Sequence, residues 1–239
     1  MRENDRHFDV AVDATLRAAM IRRGGNAGTD DVVIAPEDLR KKHFKRPGVT
    51  LIVFVVDGSD SMGQGTFVRM KAAKGAALAL LTKARLRRHR IGMVAFRGQS
   101  AQVVLPPTTS LALAQRQLNS LPTGGATPLA HGLMTAWQMI RTERLKNPTI
   151  KPLMVILSDG EANVPYQSGR KRIDVMKELH LIADRIGRDR IHSILIDTLP
   201  RWETNHPMRH IAQSMGGAYH PVDRLGAATV VETIHANEI

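Results

Sequence analysis

A short polar loop follows the most apolar segment of the chain. Residues 51–56 are an unbroken run of strand-forming apolar residues, and Asp57, Ser59 and Ser61 follow at alternate positions. Such a run is typical of a central strand buried on both faces, and open α/β sheets bind ligands at the carboxyl ends of their strands. One carboxylate and two hydroxyls offer hard oxygen ligands, which suit Mg²⁺, Ca²⁺ or Mn²⁺ rather than zinc or copper.

Two later segments supply further oxygen ligands of the same kind. Residues 153–157 form a second apolar run that leads into Ser158 and Asp159, and the glycine-rich residues 124–126 lead into Thr127. Taken one at a time, these polar residues have simpler interpretations. Ser, Asp and Gly favour turns because of their local hydrogen bonding, and Thr127 followed by proline is typical of a helix N-cap.

Together the three segments resemble the metal-ion-dependent adhesion site of von Willebrand factor A (integrin I-like) domains. The family pattern is Asp-x-Ser-x-Ser, then a loop Thr and a loop Asp, and this sequence matches it at Asp57, Ser59, Ser61, Thr127 and Asp159. The resemblance implies a bound Mg²⁺, with Mn²⁺ or Ca²⁺ as alternatives, held directly by the hydroxyls and often through water by the carboxylates. It also implies an open coordination position for an acidic residue of a protein partner.

Further segments resemble one branch of this family. Residues 96–98 read Phe-Arg-Gly, residues 105–108 read Leu-Pro-Pro-Thr, and residues 124–129 read Gly-Gly-Ala-Thr-Pro-Leu. This series is similar to the carboxyl-terminal region of the magnesium chelatase D subunit and of related cobaltochelatase subunits, over nearly the whole chain. The resemblance implies a binding module without catalysis of its own. Such a module couples an AAA+ ATPase subunit to the catalytic subunit that inserts Mg²⁺ or Co²⁺ into a tetrapyrrole.

Two features depart from that branch. Asp60 stands where the family commonly has glycine, which leaves the choice of metal open. The chain also has no G-x-x-x-x-G-K-[ST] phosphate loop, whereas the chelatase D subunit begins with an AAA+ module. The sequence therefore leaves open whether the chain is part of a longer subunit or a stand-alone relative, and we expect the ATPase on a partner.

Alternating apolar strands and amphipathic helices predict an α/β fold with a doubly wound, mostly parallel sheet, helices on both faces and one antiparallel edge strand. We expect residues 1–47 to form an N-terminal arm with a hairpin and a short helix after Pro36, and residues 48–239 to form the A domain. The hairpin strands are predicted at 8–12 and 32–34. The strands of the domain are predicted at 50–57, 91–96, 102–105, 153–157 and 191–196. Its helices are predicted at 66–88, 111–118, 128–145, 170–188, 207–215 and 223–236.

Composition limits the classes of function. The chain has 239 residues, no cysteine and a formal net charge of +12. The lack of thiols excludes disulfides and thiolate metal sites and fits a reducing cytoplasm, and no apolar run is long enough to span a membrane. Basic clusters at 40–46, 83–90 and 170–172 favour an acidic protein partner. Nucleic acid is disfavoured because aromatic residues, which would stack on bases, make up only 4% of the chain.

Two other functions compete with the chelatase module. A generic A-domain scaffold or adhesion protein would share the metal site without belonging to a chelatase. A serine hydrolase would use Ser61, which follows a strand in a sequence similar to a nucleophile elbow, with Asp159 and then His206 or His220 completing the triad. The first glycine of the elbow pattern is missing, which disfavours the hydrolase, and we predict that His206 lies at the surface.

Overall fold

The structure, a computed structural model, describes residues 10–22, 24, 32–41, 49–59, 75, 89–122, 124–167, 174–199 and 205–221. The chain divides into two compact units, Met1–Pro47 and Gly48–Ile239. Within the described ranges, no helix is both long and apolar enough to cross a lipid bilayer.

The larger unit is built on a six-stranded sheet. Its strands are β1 (Thr50–Asp57), β2 (Arg90–Arg97), β3 (Ser100–Thr108), β4 (Lys151–Ser158), β5 (His192–Asp197) and β6 (Ala218–Pro221). Their spatial order is β3-β2-β1-β4-β5-β6. Every neighbouring pair is parallel except β2 and β3, which run antiparallel at one edge. The predicted fold class is therefore confirmed, including the antiparallel edge strand.

The two central strands are buried because they carry almost no polar side chains. Residues 51–57 of β1 and 152–158 of β4 are buried throughout. Alternate residues of a strand point to opposite faces of the sheet, so Val53 and Val55 enter one hydrophobic core while Phe54 enters the other. A continuous apolar run thus serves both cores, and its first polar residues emerge only where the strand ends.

Four helices in the described part of the larger unit cover the sheet. They are α2 (Leu111–Asn119), α3 (Leu129–Lys146), α4 (Val175–Arg188) and α5 (Pro207–Met215). Helices α3, α4 and α5 contribute to one core and α2 to the other, so both faces are covered. The predicted inward residues of α3 are all buried: Leu129, Leu133, Trp137 and Ile140. Of the helix predicted at 66–88 the structure describes only Gly75, which is helical, and the helix predicted at 223–236 lies outside the described residues.

The two outer strands differ from their predictions. β3 is longer than the predicted segment 102–105, because it pairs with β2 over nine residues despite two register shifts. It contains Pro106 and Pro107, which are tolerated because β3 is an outer strand of the described sheet and because both lie where a register shift interrupts its pairing with β2. β6 was not predicted, since its four half-buried residues are too few to show a pattern. It pairs with β5 and ends at Pro221.

The smaller unit differs from the predicted hairpin. Val12–Arg22 forms helix α1, and a short 3-10 helix at Pro36–Asp38 occupies the place of the predicted short helix. Val10 makes one isolated antiparallel bridge with Lys41, and residues 32–35 have no regular secondary structure. The hairpin prediction was wrong because it weighted two short apolar segments over the alanine-rich stretch between them, whose residues favour a helix.

An ion pair joins the two helical segments of this smaller unit. Arg22 donates from Nε and Nη2 to the carboxylate of Asp38 at 3.0–3.2 Å. The backbone N–H of Ala35 donates to the same carboxylate at 2.9 Å. The Arg22 guanidinium and the Ala35 N–H hold the pKa of Asp38 below its ordinary value. The end of α1 is thereby fastened to the 3-10 helix.

Candidate metal-binding site

Four of the five predicted metal ligands lie at the carboxyl edge of the sheet. Asp57 is the last residue of β1, Ser59 lies two residues further on, and Asp159 directly follows β4. Because β1 and β4 are parallel neighbours in register, both carboxylates lie at the same edge. Thr127 ends the loop that leads into α3. Ser61 lies outside the described residues, as does Asp60.

Asp57 is fully buried, and each of its carboxylate oxygens accepts a hydrogen bond. Oδ1 accepts from the backbone N–H of Ser59 at 2.9 Å, and Oδ2 accepts from the hydroxyl of Ser158 at 2.6 Å. Burial disfavours the charged form of a carboxyl group, and a second carboxylate nearby disfavours it further. Burial and then the charge of Asp159 raise the pKa of Asp57 to about 7, although the two serines partly oppose this shift.

Two acidic side chains are buried beside each other at this edge of the sheet. Asp57 and Asp159 are 0% and 4% exposed, and two buried carboxylates that repel each other are stabilised when a cation binds between them. Carboxylate and hydroxyl oxygens are the ligands that Mg²⁺ prefers, so this donor set fits such an ion. Within the described residues, no three His, Cys, Asp or Glu side chains gather as ligands, so hydroxyls would have to complete the coordination.

Thr127 is held on both sides of its peptide unit by Asn163. The N–H of Thr127 donates to Oδ1 of Asn163 at 2.7 Å, and the N–H of Asn163 donates to the carbonyl of Thr127 at 3.3 Å. The interpretation of Thr127 as a helix N-cap is wrong, because Pro128 occupies that position of α3 without a side-chain cap. Thr127 is instead buried, at 1% exposure. The sequence did not single out Asn163, which lies in an irregular segment without any periodic pattern.

Ser158 is a second residue that sequence reasoning passed over. Its hydroxyl donates to Asp57 and accepts from the N–H of Gly160 at 3.0 Å. Its carbonyl accepts from the N–H of Thr198 at 3.1 Å. Ser158 therefore connects the ends of β1, β4 and β5. The signal that could have identified it is its place at the end of an apolar strand, immediately before a predicted ligand.

Glycines let the neighbouring loops approach the site closely. The carbonyl of Gly58 accepts from the N–H of Gly124 at 2.7 Å, and a Cβ at Gly58 would lie only 2.9 Å from the carbonyl oxygen of Pro122. Gly160 has a φ of +80°, and a Cβ there would lie 2.8 Å from the backbone nitrogen of Met208. A side chain at Gly58 would force two loops apart, and one at Gly160 would push that loop away from the start of α5.

Another buried carboxylate lies on the adjacent strand. Asp197 ends β5 beside Ser158. It accepts hydrogen bonds from the Tyr219 hydroxyl at 2.6 Å and the Leu199 N–H at 2.8 Å, and its Oδ2 lies 2.8 Å from Nδ1 of His206. Burial and this carboxylate raise the pKa of Tyr219 above its ordinary value. The prediction that His206 lies at the surface is wrong, since its side chain is 16% exposed and is bonded to Asp197.

The hydrolase alternative required Asp159 to orient a histidine. Oδ1 of Asp159 accepts from the N–H of Glu161 at 3.1 Å, whereas His206 directs Nδ1 to Asp197. His220 is the other histidine that the triad could use, and burial lowers its pKa. The structure therefore pairs His206 with Asp197 and not with Asp159. This geometry gives the hydrolase no support.

Known proteins share this fold. Residues 52–161 match the von Willebrand factor type A domain family. This stretch is a von Willebrand factor type A domain. The von Willebrand factor domain of the type V pili tip protein Mfa5 from Porphyromonas gingivalis superposes with a TM-score of 0.60 at 15% identity, covering 81% of this chain and 97% of that one. At that identity, the likeness to Mfa5 concerns the fold alone.

Among A domains, this one is similar to magnesium-chelatase subunits, which confirms the predicted resemblance. It is 34% identical to the 67 kDa subunit of Chlorobaculum parvum over 226 residues, which cover 92% of this chain and 36% of the subunit. The chain thus spans about a third of that subunit's length. It is also 36% identical to an uncharacterized protein of Methanocaldococcus jannaschii, over 73% of this chain and 98% of that protein.

Proposed function

We propose that this A domain is a metal-dependent protein-binding module of a chelatase-type complex. The resident cation would be Mg²⁺, with Mn²⁺ or Ca²⁺ as alternatives, held by Asp57, Ser59, Ser61, Thr127 and Asp159. The observation that carries the proposal is the burial of two carboxylates at the ends of adjacent strands, where burial and their mutual repulsion raise the pKa of Asp57. When bound, the cation supplies an open coordination position for a carboxylate oxygen of a partner.

The protein's own residues hold the proposed ligands in position. Ser158 and the N–H of Ser59 fix the two oxygens of Asp57, and Asn163 fixes the loop of Thr127. With the three neutral hydroxyls as direct ligands and the two carboxylates acting through water, a bound cation would keep much of its attraction for an incoming carboxylate. In a partly buried site that charge attracts an acidic side chain more strongly than it would in bulk water.

The chelatase assignment rests on the similarity to the 67 kDa magnesium-chelatase subunit. In that setting the module connects an AAA+ ATPase subunit to the catalytic subunit that inserts Mg²⁺ or Co²⁺ into a tetrapyrrole in the cytoplasm. No residue of this chain is proposed to be catalytic. Residues 48–239 would carry the metal site, and residues 1–47 would form the N-terminal arm.

Calorimetric titration with Mg²⁺ and Mn²⁺ tests the metal site. We expect the native chain to bind each ion and the variant Ser59→Ala/Ser61→Ala to lose binding. Ser120→Ala removes an exposed hydroxyl at the end of α2 and is the matched control, which should bind like the native chain. Undiminished binding by the double variant would contradict the proposed ligands.

Co-purification with a chelatase AAA+ ATPase subunit tests the partner. We expect the tagged chain to retain the ATPase in Mg²⁺ and to release it in EDTA, because the contact runs through a metal-bound carboxylate. Asp57→Ala should release it as well. If Asp57→Ala kept full affinity for both metal and ATPase, the proposed binding mode would be wrong.

A further inference from the structure

A cavity of about 500 Å³ lies at the carboxyl end of β2. Arg97 lines it from the end of β2, Ser100 and Gln102 line it from β3, and Pro122 and Gly124 line it from the loop before α3. Cavities of this size hold organic groups larger than a single ion. Its walls are polar as well as apolar, which suits a ligand with a charged end.

The loop that carries the first proposed metal ligands is hydrogen-bonded to a loop that lines the cavity. Gly58 stands between the ligands Asp57 and Ser59 and accepts from the N–H of Gly124 at 2.7 Å. A Cβ at Gly58 would lie 3.6 Å from both Cβ and Cδ of Arg97. The aliphatic stem of Arg97 therefore packs along the loop that carries the first two ligands, and a segment bound at the metal site is within reach of the cavity.

Arg97 has a charge that the described residues do not neutralise. It is the only charged residue that lines the cavity in the described part of the chain, and it is exposed. No carboxylate among those residues pairs with it. The guanidinium presents a planar set of N–H donors that matches a carboxylate in bidentate geometry, and Ser100 and Gln102 add neutral hydrogen-bonding groups.

We propose that this cavity binds a second acidic side chain of the same partner segment whose first carboxylate reaches the metal site. The inference rests on the proposed function and specifies the partner's chemistry: two acidic residues a few positions apart in one segment. Arg97 pairs with the second carboxylate. A free inorganic anion would fill only a small part of the cavity, whereas an acidic side chain together with the neighbouring residues of its segment fills more of it. The net charge of +12 attracts such a segment over longer range.

Short fluorescein-labelled peptides test this pairing. One peptide carries a single Glu in a Gly/Ser background, and its companions carry a second Glu two to four positions away. Fluorescence anisotropy in saturating Mn²⁺ measures Kd for the native chain, Arg97→Gln and Arg116→Gln. Arg116 is exposed on α2 and does not line the cavity, so its variant loses the same charge at a different place. Calorimetry with Mn²⁺ alone measures the metal affinity of each chain.

We expect one two-Glu peptide to bind the native chain about three to ten times more tightly than the single-Glu peptide, the range for a partly exposed charge-assisted pair. Arg97→Gln should lose that preference and Arg116→Gln should keep it, with Mn²⁺ affinity unchanged in both. The inference is overturned if Arg97→Gln keeps the preference, if Arg116→Gln loses it equally, or if the native chain has none.

The failures of the two proposals are distinguishable. If Mn²⁺ binds and the single-Glu peptide binds, but a second Glu adds nothing, only the role of the cavity is wrong. If Mn²⁺ binds and no peptide binds, the proposed contact with a partner carboxylate is wrong and the inference fails with it. If Mn²⁺ does not bind, the metal site itself is contradicted.

Discussion

Asp57 experiences opposing influences that leave its charge dependent on conditions. Burial and the neighbouring Asp159 favour the neutral carboxyl, while hydrogen bonds from Ser158 and Ser59 favour the carboxylate. Without metal the balance lies near neutral pH, whereas a bound divalent cation stabilises the carboxylate and displaces its proton. Metal binding and protonation therefore compete at this residue.

The first prediction concerns the stability of the metal-free chain. The folded pKa of Asp57 is about 7 and the ordinary value is 3.8, so between these values the folded state binds more protons than the unfolded state. The contribution of Asp57 to the free energy of unfolding in EDTA should therefore be greatest at acid pH and fall as pH rises from about 4 through 7, by on the order of 4 kcal/mol at most. Asp57→Asn should remove most of this decline.

Urea unfolding in EDTA at several pH values measures this effect. The change of the free energy of unfolding with pH in the native chain, minus the same change in Asp57→Asn, isolates the contribution of Asp57. Equal slopes in the two chains would show that Asp57 titrates at an ordinary pKa in the folded state, against the expectation from its burial.

The second prediction concerns Ser158. Ser158→Ala removes the donor to Asp57 and the acceptor of the Gly160 N–H, so we expect unfolding free energy to fall by about 1–3 kcal/mol and Mn²⁺ affinity to fall with it. Ser193→Ala is a matched control, because Ser193 is also a buried serine on the sheet but donates to the carbonyl of Ile191. It should lose stability and keep Mn²⁺ affinity, as judged by urea unfolding and calorimetry. Equal Mn²⁺ affinity in the two variants would contradict a role for Ser158 at the site.

At the scale of elements, the sequence predicted those parts of the fold whose patterns are strong. The uniform apolar runs of β1 and β4 indicated central parallel strands, and the spacing of apolar residues on α3 indicated its buried face. Strand β6 and helix α1 were missed, because four half-buried residues show no period and because a helix-favouring segment lay between short apolar stretches. Local patterns do not report the partners that stabilise such marginal elements.

The candidate site likewise has residues that the sequence predicted and residues that it missed. The ligand pattern was visible because each polar residue directly follows an apolar strand or a glycine-rich loop. Ser158 and Asn163 were not visible, because their roles are hydrogen bonds to residues distant in the chain, 101 positions away for Ser158 with Asp57 and 36 for Asn163 with Thr127. The pairing of His206 with Asp197 likewise depends on how α5 packs beside β5.

The third prediction concerns the contact of α3 with β2. A Cβ at Gly132 would lie 2.6 Å from Cδ1 of Phe96, and both residues are fully buried. Gly132→Ala should therefore lower the free energy of unfolding by about 1–3 kcal/mol, as overpacking of a core does. Gln138→Ala, on the exposed side of the same helix, should change it by less than about 0.5 kcal/mol. Urea unfolding measures both, and a neutral Gly132→Ala would mean that α3 moves freely away from the sheet.

At the scale of the whole molecule, the chain consists of two units with separate buried residues. The smaller unit buries Thr15, Ala19 and Asp38, while the larger one has two hydrophobic cores. All four described metal-ligand candidates belong to the larger unit, and so does the Arg97 cavity. Units with their own cores commonly fold independently.

The fourth prediction follows from this division. Residues 48–239 expressed alone should unfold cooperatively and bind Mn²⁺ with the affinity of the full chain, because every proposed ligand and its supporting hydrogen bonds are retained. Circular dichroism on heating and calorimetry provide the two measurements. A loss of cooperative unfolding, or a Mn²⁺ affinity weakened more than about tenfold, would show that residues 1–47 are needed to maintain the site.

The prolines of the outer strands bear on how the protein behaves when many copies are crowded together. In the described sheet, the two outermost strands are β3, with Pro106 and Pro107, and β6, which ends at Pro221. An exposed strand edge can template the growth of fibrils, but proline has no N–H with which to recruit another strand, and the register shifts of β3 distort its edge further. We therefore expect the folded protein to resist edge-to-edge polymerisation at high local concentration.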